Sequence, residues 1–88
     1  MREKIHQKVS VVSYYSAKRN MFVPHLIHWQ NRDYTVGEMG MIHKYKIGDT
    51  WHHIFELTDK EQVLSFRLNF DSKDLNWTLE VISDGLPS

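Results

Sequence analysis

The chain has 88 residues, enough for one small domain that can bury roughly 60–65% of the surface its unfolded form exposes. Eleven basic residues balance eleven acidic ones, so no global field draws it to nucleic acid or an anionic membrane, and only a local patch could do so. Cysteine is absent, which excludes a disulfide framework, a thiolate nucleophile and every thiolate zinc site.

From the N-terminus, the stretch MREKIHQKVSVV carries neither a long apolar run nor a small-residue cleavage site. No segment reaches the roughly eighteen apolar residues of a membrane span. The expectation is a cytoplasmic protein of a single domain over 1–88, with no membrane association and loose ends only at 1–4 and 84–88.

From residue 5 to 82, apolar and polar residues alternate with a period of two, and β-branched and aromatic types dominate. Turn residues punctuate the pattern. Six strands are expected, at about 5–15, 21–30, 33–47, 51–57, 63–70 and 75–82. Pro24 cannot donate to a ladder and suits an edge or the start of pairing, while Gly37 and Gly40 mark a bend or bulge in the long third strand.

Registers follow from asking which pairing gathers the apolar residues on one face. A tight turn at Asn31-Arg32 sets Trp29 opposite Tyr34 and Ile27 opposite Val36. A two-residue Gly48-Asp49 loop would mix the faces. A three-residue loop, Gly48 to Thr50, instead pairs Ile47 with Trp51, Tyr45 with His53, and His43 with Phe55. Next, Leu57 faces Leu64 and Phe55 faces Phe66; in the last hairpin Phe70 faces Leu75 and Leu68 faces Trp77. The sum is an all-β fold, a six-stranded antiparallel meander curled into a small barrel or a strongly curved sheet.

The segment PHLIHWQNRDYTV resembles the P-x-x-apolar-x-W-x-(Gly/Asn)-R-x-Y-x-V signature of a family of small, uncharacterised bacterial all-β domains. The ending WTLEVISD is similar to that family's W-x-L-E-x-apolar-x-D close. The likeness runs from Pro24 to Asp84 and departs in having Asn31 where Gly is commoner. It implies an all-β fold with a hairpin turn and core aromatics. Some members are associated with translesion polymerase genes, and the family carries no assigned activity.

Three constellations carry chemistry. In the register above, His43 and His53 both point inward on neighbouring strands, close enough to share a metal, with His28 or His25 as a third ligand. No H-x-x-x-H spacing supports them, nor any carboxylate placed to orient their rings, and the plainer reading is a pair of core-side histidines satisfied by backbone or Tyr45. The opposite face, with His52, places Lys44, Lys46 and Arg67 near Asn69 and Asn76, where they could meet phosphates. That patch lacks a stacking aromatic, and its plainer reading is a solvated face with cross-strand pairs such as Arg67 with Glu80. Third, Tyr14, Tyr15, Trp29, Tyr34 and Trp51 could line a barrel mouth, although small barrels more often fill their interior themselves.

No Ser-His-Asp order, paired-carboxylate signature or phosphate-cradling loop is visible. The expectation is a non-enzymatic interaction module without a cofactor. It binds a macromolecule, protein or nucleic acid, through Lys44, Lys46, His52, Arg67, Asn69 and Asn76. The alternative is a small-molecule or metal-binding barrel using His43, His53 and His28. An edge strand near Pro24 or Val9 could also pair with another copy to make a homodimer.

Overall fold

A computed structural model describes residues 2–84. Seven strands form one antiparallel sheet: β1 Arg2–Lys8, β2 Ser10–Ser16, β3 Met21–Trp29, β4 Arg32–Ile47, β5 Thr50–Asp59, β6 Leu64–Asp71 and β7 Asn76–Asp84. Their order across the sheet is β1-β7-β6-β5-β4-β3-β2.

The all-β antiparallel reading holds, with two corrections. The expected first strand is two: the chain breaks at Val9, whose N–H still donates to the Trp77 carbonyl at 3.0 Å. Before it, β1 pairs with β7, and after it, β2 pairs with β3. The sheet is also open rather than a closed barrel, since β1 and β2 end the order without pairing to each other. Residues 2–4 and Asp84, expected to be loose, belong to β1 and β7, whereas residues 1 and 85–88 lie outside the described residues.

The sheet is nonetheless strongly curved. Four steps separate β3 from β7, roughly 19 Å if the sheet were flat. Yet Phe22 of β3 meets Trp77 of β7 edge-on, with ring centroids 6.0 Å apart. At the other end of β3, Trp29 donates through Nε1 to Gln7 Oε1 of β1 at 2.9 Å. The enclosed core is Val23, Ile27, Phe55, Leu57, Phe66, Leu68, Leu79 and Ile82.

Curvature comes from bulges. In β4, register shifts at Gly37 and Gly40, as the sequence suggested, let one long strand pair first with β3 and then with β5. In β7 the extra residue is Glu80: Leu68 faces Leu79, but Arg67 faces Val81. That insertion keeps Leu79 and Ile82 both in the core although they are three residues apart.

The expected registers need correction at every hairpin. The β3–β4 turn is Gln30-Asn31, both at positive φ as a type I′ turn requires, so Trp29 faces Arg32 and Ile27 faces Tyr34. Pairs β5–β6 and β6–β7 are each offset by two residues: Leu57 faces Phe66, and Phe70 faces Trp77. An offset of two preserves the face, so the inward set survives as far as the bulge at Glu80; past it the β6–β7 offset is three, and Val81, expected inward opposite Leu64, faces Arg67 while Ile82 turns inward opposite Phe66. The β4–β5 loop is the two-residue Gly48-Asp49 turn, with Gly48 at φ 60, and Ile47 faces Thr50. This is a one-residue slip from the expected register, and it changes the site.

Candidate functional site: the tip of the β4–β5 hairpin

With the two-residue loop, Ile42, Lys44 and Lys46 of β4 lie opposite Phe55, His53 and Trp51, on the core side of the sheet. Met41, His43 and Tyr45 lie opposite Glu56, Ile54 and His52, on the outer side. Toward the hairpin tip the core side therefore runs out of cover and continues as Lys44, Lys46 and Trp51, all exposed. The Lys44 ammonium lies 4.9 Å from the centroid of the Trp51 ring, and that of Lys46 lies 5.7 Å from it. Both distances fall within cation–π range.

Trp51 is firmly seated. Its N–H donates to Ser72 Oγ and its carbonyl accepts from the Ser72 N–H, each at 2.9 Å. Ser72 is itself set by the β6–β7 loop, where Asp71 Oδ1 accepts from the N–H groups of Lys73 and Asp74. Beneath the platform, His53 is half-buried, its ring 5.3 Å from that of Phe22 and 6.2 Å from that of Phe70. Burial holds the His53 pKa below its ordinary value, and the nearby charges of Lys44 and His52 lower it further.

The expected phosphate-binding set is thus divided. Lys44 and Lys46 stand on the core side, while His52, Arg67, Asn69 and Asn76 stand on the outer side. The outer group is internally engaged. His52 donates through Nδ1 to Asn69 Oδ1 at 3.1 Å, and Asn69 Nδ2 donates to Glu80 Oε2 at 2.9 Å. Arg67 Nε donates to Glu80 Oε1 at 2.9 Å, so the cross-strand pair read from the sequence is formed. The bulge at Glu80 is what lets one carboxylate serve both partners. Asn76 faces Asp71 at the strand end.

The histidine trio is not assembled either. His43 faces Ile54 on the outer side and is exposed, whereas His53 faces Lys44 on the other side. The register slip separates them, because neighbouring residues of a strand point to opposite faces. His28 sits on β3 and donates through Nδ1 to Asp33 Oδ1 at 2.6 Å. Among the described residues, no three His, Cys, Asp or Glu side chains gather as a metal site.

The aromatic mouth is gathered only in part: the Trp29 and Tyr34 rings pack with centroids 6.4 Å apart, while Tyr14, Tyr15 and Trp51 stand elsewhere. Tyr34 lines an open cleft of about 370 Å³ beside Asp59, Trp29 a second beside Gln7, and Tyr14 a third beside Pro24. Tyr15 is exposed on β2.

Sequence reasoning missed Trp51 as a surface aromatic and Glu80 as the clamp of the outer network. The signals were present in Gly40 and Gly37, whose bulges absorb the mixing of faces that had argued against the two-residue loop.

A small, curved, open all-β sheet bearing a cation-flanked tryptophan at one hairpin tip is the class of protein that emerges. Compared with protein-family models, curated proteins and solved structures, the chain finds no match. Among the described residues there is no helix long and apolar enough to cross a membrane.

Proposed function

We propose that the chain is a non-enzymatic binding module that takes single-stranded nucleic acid on the Lys44–Trp51–Lys46 surface. The observation that carries this reading is the placement of two ammonium groups within 6 Å of one exposed, backbone-anchored indole. An unpaired base stacks on an aromatic face, and adjacent cations meet the flanking phosphates. Of the two partner classes expected from the sequence, an acidic protein would use the lysines but leave the indole idle. His52, Arg67 and Asn69 are committed to Glu80 and its network, so the patch supporting this reading is smaller than the sequence implied and contains an aromatic.

The test is titration with a single-stranded thymidine oligonucleotide at low and at physiological salt, followed by tryptophan fluorescence, with polyglutamate as the comparison polyanion. The expected result is quenching and an affinity that falls steeply with salt as counterions are released. Absence of binding at low salt, or equal affinity for polyglutamate, would overturn it.

A further inference from the structure

The two ends of the sheet are built differently. At one end, β1 (REKIHQK) carries Arg2, Glu3, Lys4 and Lys8, and a register shift between Lys4 and Gln7 with His6 at φ 50. Charges and a bulge are how natural sheets blunt a free edge. At the other end, β2 (SVVSYYS) has no charge and no proline. The register shift in its pairing falls on β3, where Val12 faces Leu26 and the next residue, Ser13, faces Pro24, so β2 itself runs regular. Among the described residues nothing pairs with its outer side. Val12, Tyr14 and Tyr15 are each more than half exposed.

The strand is also self-complementary. Laid antiparallel against its own copy with Ser13 at the centre, Ser10 meets Ser16, Val11 meets Tyr15, Val12 meets Tyr14, and Ser13 meets Ser13. Aromatic with β-branched, and hydroxyl with hydroxyl, are favourable cross-strand pairs. The tyrosines are already positioned. Tyr14 packs edge-on to His25 at 6.1 Å, and Tyr15 donates through its hydroxyl to Asn20 Oδ1 at 2.6 Å. The ladder ends at Ser10 and Ser16, before Lys8 and Lys18 would be brought opposite each other.

We propose that β2 pairs with β2 of a second copy of this chain, antiparallel about a twofold axis at Ser13, joining two sheets into one. The twofold closes the assembly at a dimer, because it uses the free side of β2 in both copies at once. The dimer does not depend on what the Trp51 surface binds.

The chain has no cysteine, so single cysteines report this geometry cleanly. In a Ser13→Cys variant under mild oxidation the two thiols face each other across the axis. Directly opposed strand residues lie about 4.5–5.5 Å apart at Cα, within disulfide reach, and most of the chains should become a covalent dimer. Ser10→Cys alone faces Ser16 of the other copy and should not self-link, whereas a mixture of Ser10→Cys and Ser16→Cys chains should cross-link. Light scattering on the unmodified protein should give twice the 10.5 kDa chain mass, and Ser13→Lys should return it to the monomer. A monomer mass at all concentrations, growth beyond the dimer, or Ser13→Cys linking no better than Ser10→Cys would each overturn the proposal. The cross-linking pattern decides the matter even if Ser13→Lys fails to fold.

Discussion

Lys46 stands directly across the strand pair from Trp51, and its ammonium group lies 5.7 Å from the indole centroid. Lysine and tryptophan thus serve one surface but contribute differently. Trp51→Ala should weaken oligonucleotide binding by about 1–3 kcal/mol, roughly 5–150-fold, while leaving the salt dependence unchanged. Lys44→Ser and Lys46→Ser should each weaken binding and flatten the slope of log affinity against log salt by about 0.7. Titrations at several salt concentrations measure both quantities. A Trp51→Ala variant with altered slope and unaltered low-salt affinity would contradict this division.

The outer network makes the opposite prediction. Glu80 holds Arg67 and Asn69, and its side chain is only 17% exposed against 31% for Arg67. Glu80→Ala strands a partly buried guanidinium and an amide, and should cost about 1–3 kcal/mol of stability. Oligonucleotide affinity should stay within twofold, because the network lies on the face away from Trp51. Urea unfolding together with the same binding titration checks the two halves separately.

What the sequence made legible was parity. Phe55, Leu57, Phe66, Leu68, Phe70 and Trp77 fall inward in the expected registers and in the structure, because errors of two residues leave a side chain on its own face. A one-residue error does not, and the β4–β5 hairpin has one. The expected register is chosen on the stretch between the turn and Gly40 and makes no allowance for the shifts that Gly40 and Gly37 introduce. With the bulges included, the Gly48-Asp49 turn gathers Ile42 and Met39 on the core side and moves Lys44 and Lys46 next to Trp51. The break at Val9 had no punctuation to reveal it, since KVSVV alternates without a glycine or proline. Only the existence of two separate partners, β7 and β3, makes one expected strand into two.

Gly37 makes the bulge possible. A Cβ there would lie 2.7 Å from the Asp59 carbonyl oxygen and 2.7 Å from the Lys60 Cα, and neither backbone atom can give way cheaply. The same contact region holds the Lys60 N–H to Thr35 O hydrogen bond at 2.7 Å. Gly37→Ala should therefore cost about 2 kcal/mol. At Gly40 the nearest atom is the Glu56 carbonyl oxygen at 3.0 Å, so Gly40→Ala should cost less. Equal losses in urea unfolding would refute the ranking.

Leu75 closes the β6–β7 loop at φ 59 and is 69% exposed. A left-handed conformation costs an ordinary L-residue about 1–2 kcal/mol, and asparagine tolerates it better. Little packing is at stake at such an exposed position. Leu75→Asn should raise stability by about 0.5–1 kcal/mol, read as a higher urea midpoint at unchanged slope.

His53 links the pH dependence of stability to the proposed binding surface. Burial first, then Lys44 and His52, hold its folded pKa below the ordinary 6.5. Between those two values the unfolded chain binds the proton more readily than the folded one. The stability that His53 contributes is therefore complete above about pH 6.5 and is lost as pH falls through 6.5 toward the lower folded value. Unfolding measured from about pH 7.5 down to 5 should show this loss, and His53→Gln should remove that part of it. A phosphate chain beside Lys44 reverses the electrostatics, because an anion favours the imidazolium. Oligonucleotide binding should raise the His53 pKa, visible in its imidazole NMR signals, and affinity should grow as pH falls through the same window. An imidazole titration unmoved by saturating oligonucleotide would place the ligand away from Lys44 and Trp51.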